Sequence, residues 1–206
     1  MEESWIDARS AGADNGEVPT APRPFPALLQ RAAEGDQTAA SALFAEYHPR
    51  LLRFLRGLEP RAADDLAGEV WLAVARGLPG FEGDAGDFTA WLFTIARNRL
   101  ADHRRTAARR RTDPVAEVED LTATAAADPA DHAIDRWSAA DAVALVAEHL
   151  PPEQAEVVLL RVVGGLDVAQ VAEIVGRTPG WVRVNQHRAL QRLAAVVAPL
   201  ADGAGR

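Results

Sequence analysis

The sequence predicts an all-α protein built from two small helical domains joined by a flexible linker. Three observations carry that prediction. Apolar residues recur at three- and four-residue intervals through a series of segments, none of which shows the alternation of a half-buried strand. Near the middle of the chain this periodicity disappears, and it resumes beyond residue 133.

Residues 1–25 are rich in Gly, Ala, Pro and charge and read as a disordered tail. A first domain is expected over residues 26–110. Ala27 to Ala33 predicts a short helix closed near Gly35. Thr38 to Gly57 aligns Leu43, Phe44, Tyr47, Leu51, Leu52 and Leu55 on one stripe, with Pro49 expected to kink or break it. Arg61 to Gly77 repeats the pattern with Leu66, Val70 and Val74, and Asp64 and Asp65 sit in the first turn, where the helix dipole favours anions. GLPGFEGDAGDF, residues 77–88, is too rich in Gly and Pro for a helix and reads as a loop. Phe88 to Arg105 resumes the helical pattern, with Phe88, Trp91, Leu92, Ile95 and Leu100 inward and Arg97, Arg104 and Arg105 elsewhere.

Residues 111–133 form the expected acidic linker, followed by a second domain over 134–200. Ile134 to Leu150 predicts a helix anchored by Ile134, Trp137, Leu145 and Val146, and Pro152 to Val163 predicts another. From Leu166 to Leu193 the pattern is that of a helix-turn-helix. Val168, Val171, Ala172 and Val175 give one short apolar face, and Gly176 ends it. Thr178 then serves as N-cap and Pro179 as first helical residue, with Val182, Ala189, Leu190 and Leu193 turned inward. Such a second helix usually enters a DNA major groove, although an ordinary helical hairpin has the same spacing.

The 206 residues carry a net charge of −8, which excludes a uniformly basic coat. The charge is nevertheless segregated. No Lys occurs, seven Arg crowd between Arg97 and Arg111, and the charged residues from Asp113 to Asp135 are acidic. A polyanion meets the local field rather than the average, so DNA binding stays open. The linker acids Asp113, Glu117, Glu119 and Asp120 are also placed to fold back on the Arg run. With no Cys there are no disulfides or thiolate metal sites, and the five His show no metal-ligand spacing. No metal or other cofactor is expected. The Asp and Glu pairs fall at caps or in the linker, so nothing points to general acid–base catalysis. No signal peptide is evident and no apolar run nears the ~20 residues of a membrane span, so a soluble intracellular protein is expected.

The segment DFTAWLFTIARNRLADHRRTAARRR places a core face and a dense Arg run on one helix. Arg contacts phosphate bidentately and keeps its charge, and Asn98 offers a donor and an acceptor to a base edge. Trp91 has two readings, a core residue or a platform for an unpaired base.

Together, LFAEYHPRLLRFL, ADDLAGEVWLAVARGL, FTAWLFTIARNRLADHRR, LPPEQAEVVLLRVVGGLDVAQVAEIVG and HRALQRL, in that order, resemble the extracytoplasmic-function sigma factors of the sigma-70 family. The resemblance spans residues 26–200 and implies a promoter-specificity subunit of bacterial RNA polymerase, cytoplasmic and without catalysis of its own. It implies a region 2 that docks on the β′ clamp helices through Asp65, Glu69 and Leu72. The −10 element would be read as single strand by Phe81, Trp91 and Asn98, with Arg97, Arg99, Arg104 and Arg105 on the backbone. A region 4, carried by the β flap, would read the −35 duplex through Thr178, Gly180, Trp181, Arg183, Val184, Asn185, His187 and Arg188. An anti-sigma protein is a further implied partner. The chain departs from the family at RTPGWVRVNQHRA, where Trp181, Val184 and Asn185 replace a small, a hydroxylated and a basic residue. Helical geometry puts Gly180, Val184, His187 and Gln191 on the outward stripe and Gln186 on the inner face, where an apolar residue is expected. Two alternatives stand beside this reading: a helix-turn-helix regulator binding DNA alone as a dimer, and a protein-interaction module whose Arg run meets an acidic partner.

Overall fold

The computed structural model describes residues 25–112 and 138–203; the expected tail up to residue 24, the acids of the expected linker, Ile134 and Trp137 lie outside them, and Phe25 belongs to the first helix. All regular structure among the described residues is helical. The N-terminal unit contains α1 (Phe25–Ala33), α2 (Gln37–Leu58), α3 (Ala63–Gly77) and α4 (Ala85–Thr112), with 3-10 turns at Pro60–Ala62 and Leu78–Gly80. The C-terminal unit contains α5 (Ala139–His149), α6 (Pro152–Val162), α7 (Val168–Val175) and α8 (Pro179–Gly203).

Side-chain caps set most of these boundaries. Asp36 accepts from the Thr38 and Ala39 N–H groups and starts α2 one residue before the expected point. The Asp84 carboxylate accepts from Gly86 and Asp87 N–H, while Asp87 accepts from Asp84 N–H. This reciprocal cap begins α4 inside the segment expected to be loop, because two carboxylates satisfy three backbone N–H groups of the first turn despite the glycines around them. Ser138 with Asp141 and Asp167 with Gln170 form the same kind of box at α5 and α7. Gly176 closes α7 at φ 66°, and the Arg177 N–H returns to the Ala172 carbonyl.

The core of the N-terminal unit is aromatic. Tyr47, Phe54, Phe88 and Phe93 are fully buried. Phe54 meets Phe93 edge-on at 5.2 Å and Tyr47 meets Phe88 at 4.9 Å, which ties α2 to α4. Leu159, Leu160, Leu166, Val171, Val182 and Ala189 fill the C-terminal core.

Several expectations change. α2 runs unbroken through Pro49, because Tyr47 before it and Leu51, Phe54 and Leu55 after it are buried on one face. Phe44 leaves the core stripe and lies 45% exposed, stacked on His48 at 4.3 Å and near Trp71 at 5.0 Å. Leu190 is likewise exposed, while Phe93, absent from the expected core, is buried. Gln186 holds its inner position by accepting from the Arg161 guanidinium at 3.3 Å, and Arg161 also donates to the Leu166 carbonyl. The two units touch: α2 packs on α5 and α6, and α4 packs on α7.

Candidate nucleic-acid and polymerase interface

α3 buries Leu66, Ala67, Val70 and Val74, which leaves the opposite side to solvent. Asp65, Glu69 and Leu72 stand four and three residues apart, so they share that exposed stripe. Leu72 is 58% exposed. Beside it, half-buried Trp71 donates its indole N–H to His48 Nδ1 at 3.2 Å. Asp65, Glu69 and exposed Leu72 make this stripe both acidic and apolar.

The second surface belongs to α4. Its first half is built into the core by Phe88, Leu92, Phe93 and Ala96, and its second half is mostly exposed. Phe81 and Trp91 pack ring to ring at 4.9 Å and are both half-buried, so Trp91 keeps both of its readings: one side rests on the core and another reaches the surface. Two turns beyond Trp91, Asn98 is exposed and Arg99 half-exposed. Arg99, His103, Arg104 and Arg110 line an open groove together with Glu59, Glu69 and Asp102. Three of the expected strand-holding arginines already have partners within the chain. Arg97 Nε meets Glu156 Oε1 at 2.9 Å, Arg104 donates to the Leu58 carbonyl at 2.7 Å, and Arg105 pairs with Asp102.

The third surface is the start of α8. The Thr178 hydroxyl accepts the Trp181 N–H at 3.2 Å, in the capping role expected of it. Gly180, Arg183, Val184, His187 and Arg188 are exposed, and Val184 is 48% exposed. Trp181 is half-buried, with the Arg177 guanidinium 5.5 Å above its ring. Asn185 stands apart from this set. It is 8% exposed, and its amide donates to the Trp181 carbonyl at 3.0 Å, which directs it away from the outward stripe.

Sequence reasoning missed Phe44, His48 and Trp71 as a surface cluster, because an aromatic at helical spacing reads as core. It also missed Arg50, Gly57 and Glu156, which act between the two units. Among the described residues there is no cluster of His, Cys, Asp and Glu suited to a metal ion, and no helix long and apolar enough to cross a membrane.

An Arg-studded helix in one unit and a helix-turn-helix in the other define a bipartite nucleic-acid reader. Comparison with known proteins gives the class its name. The chain matches the family model for Sigma-70 region 2 over residues 43–110 and that for Sigma-70, region 4 over residues 140–193. It is 36% identical to the ECF RNA polymerase sigma factor ShbA of Streptomyces griseus, covering 82% of this chain and 93% of that protein. It is 38% identical to the ECF RNA polymerase sigma factor SigD of Mycobacterium tuberculosis, covering 85% of each. Among solved structures, the sigma factor RpoE in complex with the anti-sigma factor NepR from Bartonella quintana shares the fold. The TM-score is 0.60 at 23% identity, over 77% of this chain and 96% of that one. CnrH in complex with the cytosolic domain of CnrY gives a TM-score of 0.57 at 23% identity, over 85% of this chain and 97% of that one. The chain belongs to the sigma-70 family, among its extracytoplasmic-function members. It is an RNA polymerase sigma factor: it joins core polymerase, directs initiation at promoter DNA and catalyses no reaction itself. The dimeric regulator and the protein-interaction module are thereby set aside.

Proposed function

We propose a division of labour among the three surfaces of this cytoplasmic factor. The α3 stripe of Asp65, Glu69 and Leu72 docks on the β′ clamp helices. The Phe81–Trp91 pair and Asn98 take an unstacked base of the −10 element, with Arg97, Arg99, Arg104 and Arg105 along its backbone. Pulling that base from the stack costs a few kcal/mol, which an aromatic platform offsets. α8, with region 4 held on the β flap, enters the −35 major groove. Arg183 and Arg188 bind phosphate, and Val184 and His187 face base edges. Val184 suits a thymine methyl group. Asn185 braces the helix instead of reading bases.

The observation that carries this reading is the orientation of α8. Val182, Asn185 and Ala189 are buried, while Gly180, Arg183, Val184, His187 and Arg188 face solvent from one short helix start. An anti-sigma protein would find its natural target in the same exposed Leu72 stripe that the polymerase uses.

Run-off transcription with core enzyme, after mapping the start sites, tests the assignment. Arg183→Ala should weaken binding on all sequences alike and reduce the salt slope by about 1. Val184→Ser should instead change the preferred base at one −35 position. Leu72→Glu should abolish co-elution with core polymerase while helical content stays unchanged. An unaltered −35 preference in every α8 surface variant would remove region 4 from the reading.

A further inference from the structure

A single guanidinium joins three helices of region 4. Arg161, in the last turn of α6, donates from Nε to the Gln186 side-chain oxygen of α8 at 3.3 Å and from Nη1 to the Leu166 carbonyl. Leu166 is fully buried and directly precedes Asp167, whose carboxylate caps α7. The end of α6, the entry to α7 and the middle of α8 are thus held by one side chain. A second bond lies farther along the α6–α8 contact, where Arg192 donates to the side-chain oxygen of Gln154, itself only 7% exposed. The two bonds run antiparallel, from 161 back to 154 on α6 and from 186 on to 192 on α8. They are therefore about 10 Å apart along each helix.

Apolar burial is non-directional, so buried Val182 and Ala189 hold α8 against the core without fixing its rotation sharply. A hydrogen bond is directional and weakens steeply when misaligned. Rotation matters here, because successive residues stand about 100° apart around a helix. A roll by a fraction of that step changes which atoms of Val184 and its neighbours meet a base edge. Gln186 takes an inner position where the helical pattern calls for an apolar residue, and it is half-buried there. Polar groups at such positions fix register at a cost in stability, as one Asn does in a coiled coil. We propose that Arg161 and Gln186 are positioning residues for −35 recognition, setting the roll of α8 so that Val184 meets its base pair. Both act through Val184 rather than by touching DNA, and the inference rests on the −35 role assigned to α8 above.

The test uses the full-length protein, core polymerase and a promoter library randomised across the −35 element. It reads discrimination, the ratio of transcription from the preferred base to the next best at each position. At the base pair facing Val184 the wild type should discriminate about fivefold or more. Gln186→Leu removes the acceptor and supplies the apolar residue that the pattern calls for. Its urea midpoint should be unchanged or higher, while discrimination at that base pair falls toward one. Gln186→Glu keeps the acceptor and makes the bond charge-assisted, so discrimination should stay at the wild-type level. Arg161→Met should lose the same discrimination as Gln186→Leu, and combining the two should take no more. A merely structural role would lower the midpoint and depress transcription from all sequences alike. Equal loss in Gln186→Glu and Gln186→Leu, or further loss in the double variant, would overturn the coupling. Val184→Ser separates this inference from the reading beneath it. Unchanged discrimination in Gln186→Leu beside a shifted preference in Val184→Ser would overturn the positioning role and leave the −35 assignment standing. No change in either variant would overturn both. A shift in Gln186→Leu alone supports control of the roll by the pair and takes the base contact away from Val184.

Discussion

Asp36 and Asn185 show how a single polar side chain is given its role by its surroundings. The Asp36 carboxylate lies below its ordinary pKa of 3.8, first because the Ala39 N–H donates to it and then because Arg31 does. A lowered folded value means that its stabilisation is whole above 3.8 and drains as pH falls through the folded value. Against Asp36→Asn, which caps without charge, wild-type melting should lead by a constant margin at neutral pH and lose that lead below 3.8, as followed by circular dichroism. Asn185→Ala should cost about 1 kcal/mol in urea melts, the value of one buried hydrogen bond, and leave −35 preference unchanged. Position in the sequence put Asn185 beside the base readers. Only the bond to the Trp181 carbonyl shows it turned inward, because one residue's step around a helix is finer than periodicity resolves. Phe44 failed the other way, an aromatic at core spacing that finds its partners in His48 and Trp71 at the surface.

At the scale of elements, α4 separates stability from recognition along one helix of 28 residues, about 42 Å. Leu92→Ala, in the fully buried half, should cost about 2–5 kcal/mol in urea unfolding. Arg99→Ala should leave stability within about 0.5 kcal/mol and instead weaken single-strand binding. The turn before α8 admits a cleaner test. Gly176 sits at φ 66° with open space where a Cβ would go, so Gly176→Ala pays only the left-handed backbone penalty, about 1–2 kcal/mol by thermal melting. The helices, their order and this glycine stop were all legible, because apolar spacing and turn residues are local signals. The start of α4 was not, since its Asp84–Asp87 cap is hidden among glycines that individually argue for loop.

For the whole molecule, two helical units could be read from the break in apolar periodicity, and the kind of partner from the resemblance to the sigma factors. The contact between them could not. Its acceptors are main-chain carbonyls of Val163, Gly164 and Val175, and backbone leaves no signature in a sequence. Its donors, Arg50 and Arg97, look like any other arginine until the fold places them at two helix ends. Glu156, only 19% exposed in its side chain, reads as an ordinary helix-surface acid. The overall charge of −8 likewise averages over seven Arg crowded between Arg97 and Arg111.

The aromatic placements also give the molecule built-in optics. Trp71 lies beside the proposed clamp face, Trp91 beside the proposed −10 pocket and Trp181 on the helix assigned to the −35 groove. Each has a different neighbour, an imidazole, a phenyl ring and a guanidinium, and so a different spectral environment. Variants retaining one of the three indoles and replacing every other Trp with Phe would let polymerase docking, strand capture and groove entry be timed separately, one stopped-flow trace per variant, without attaching any dye.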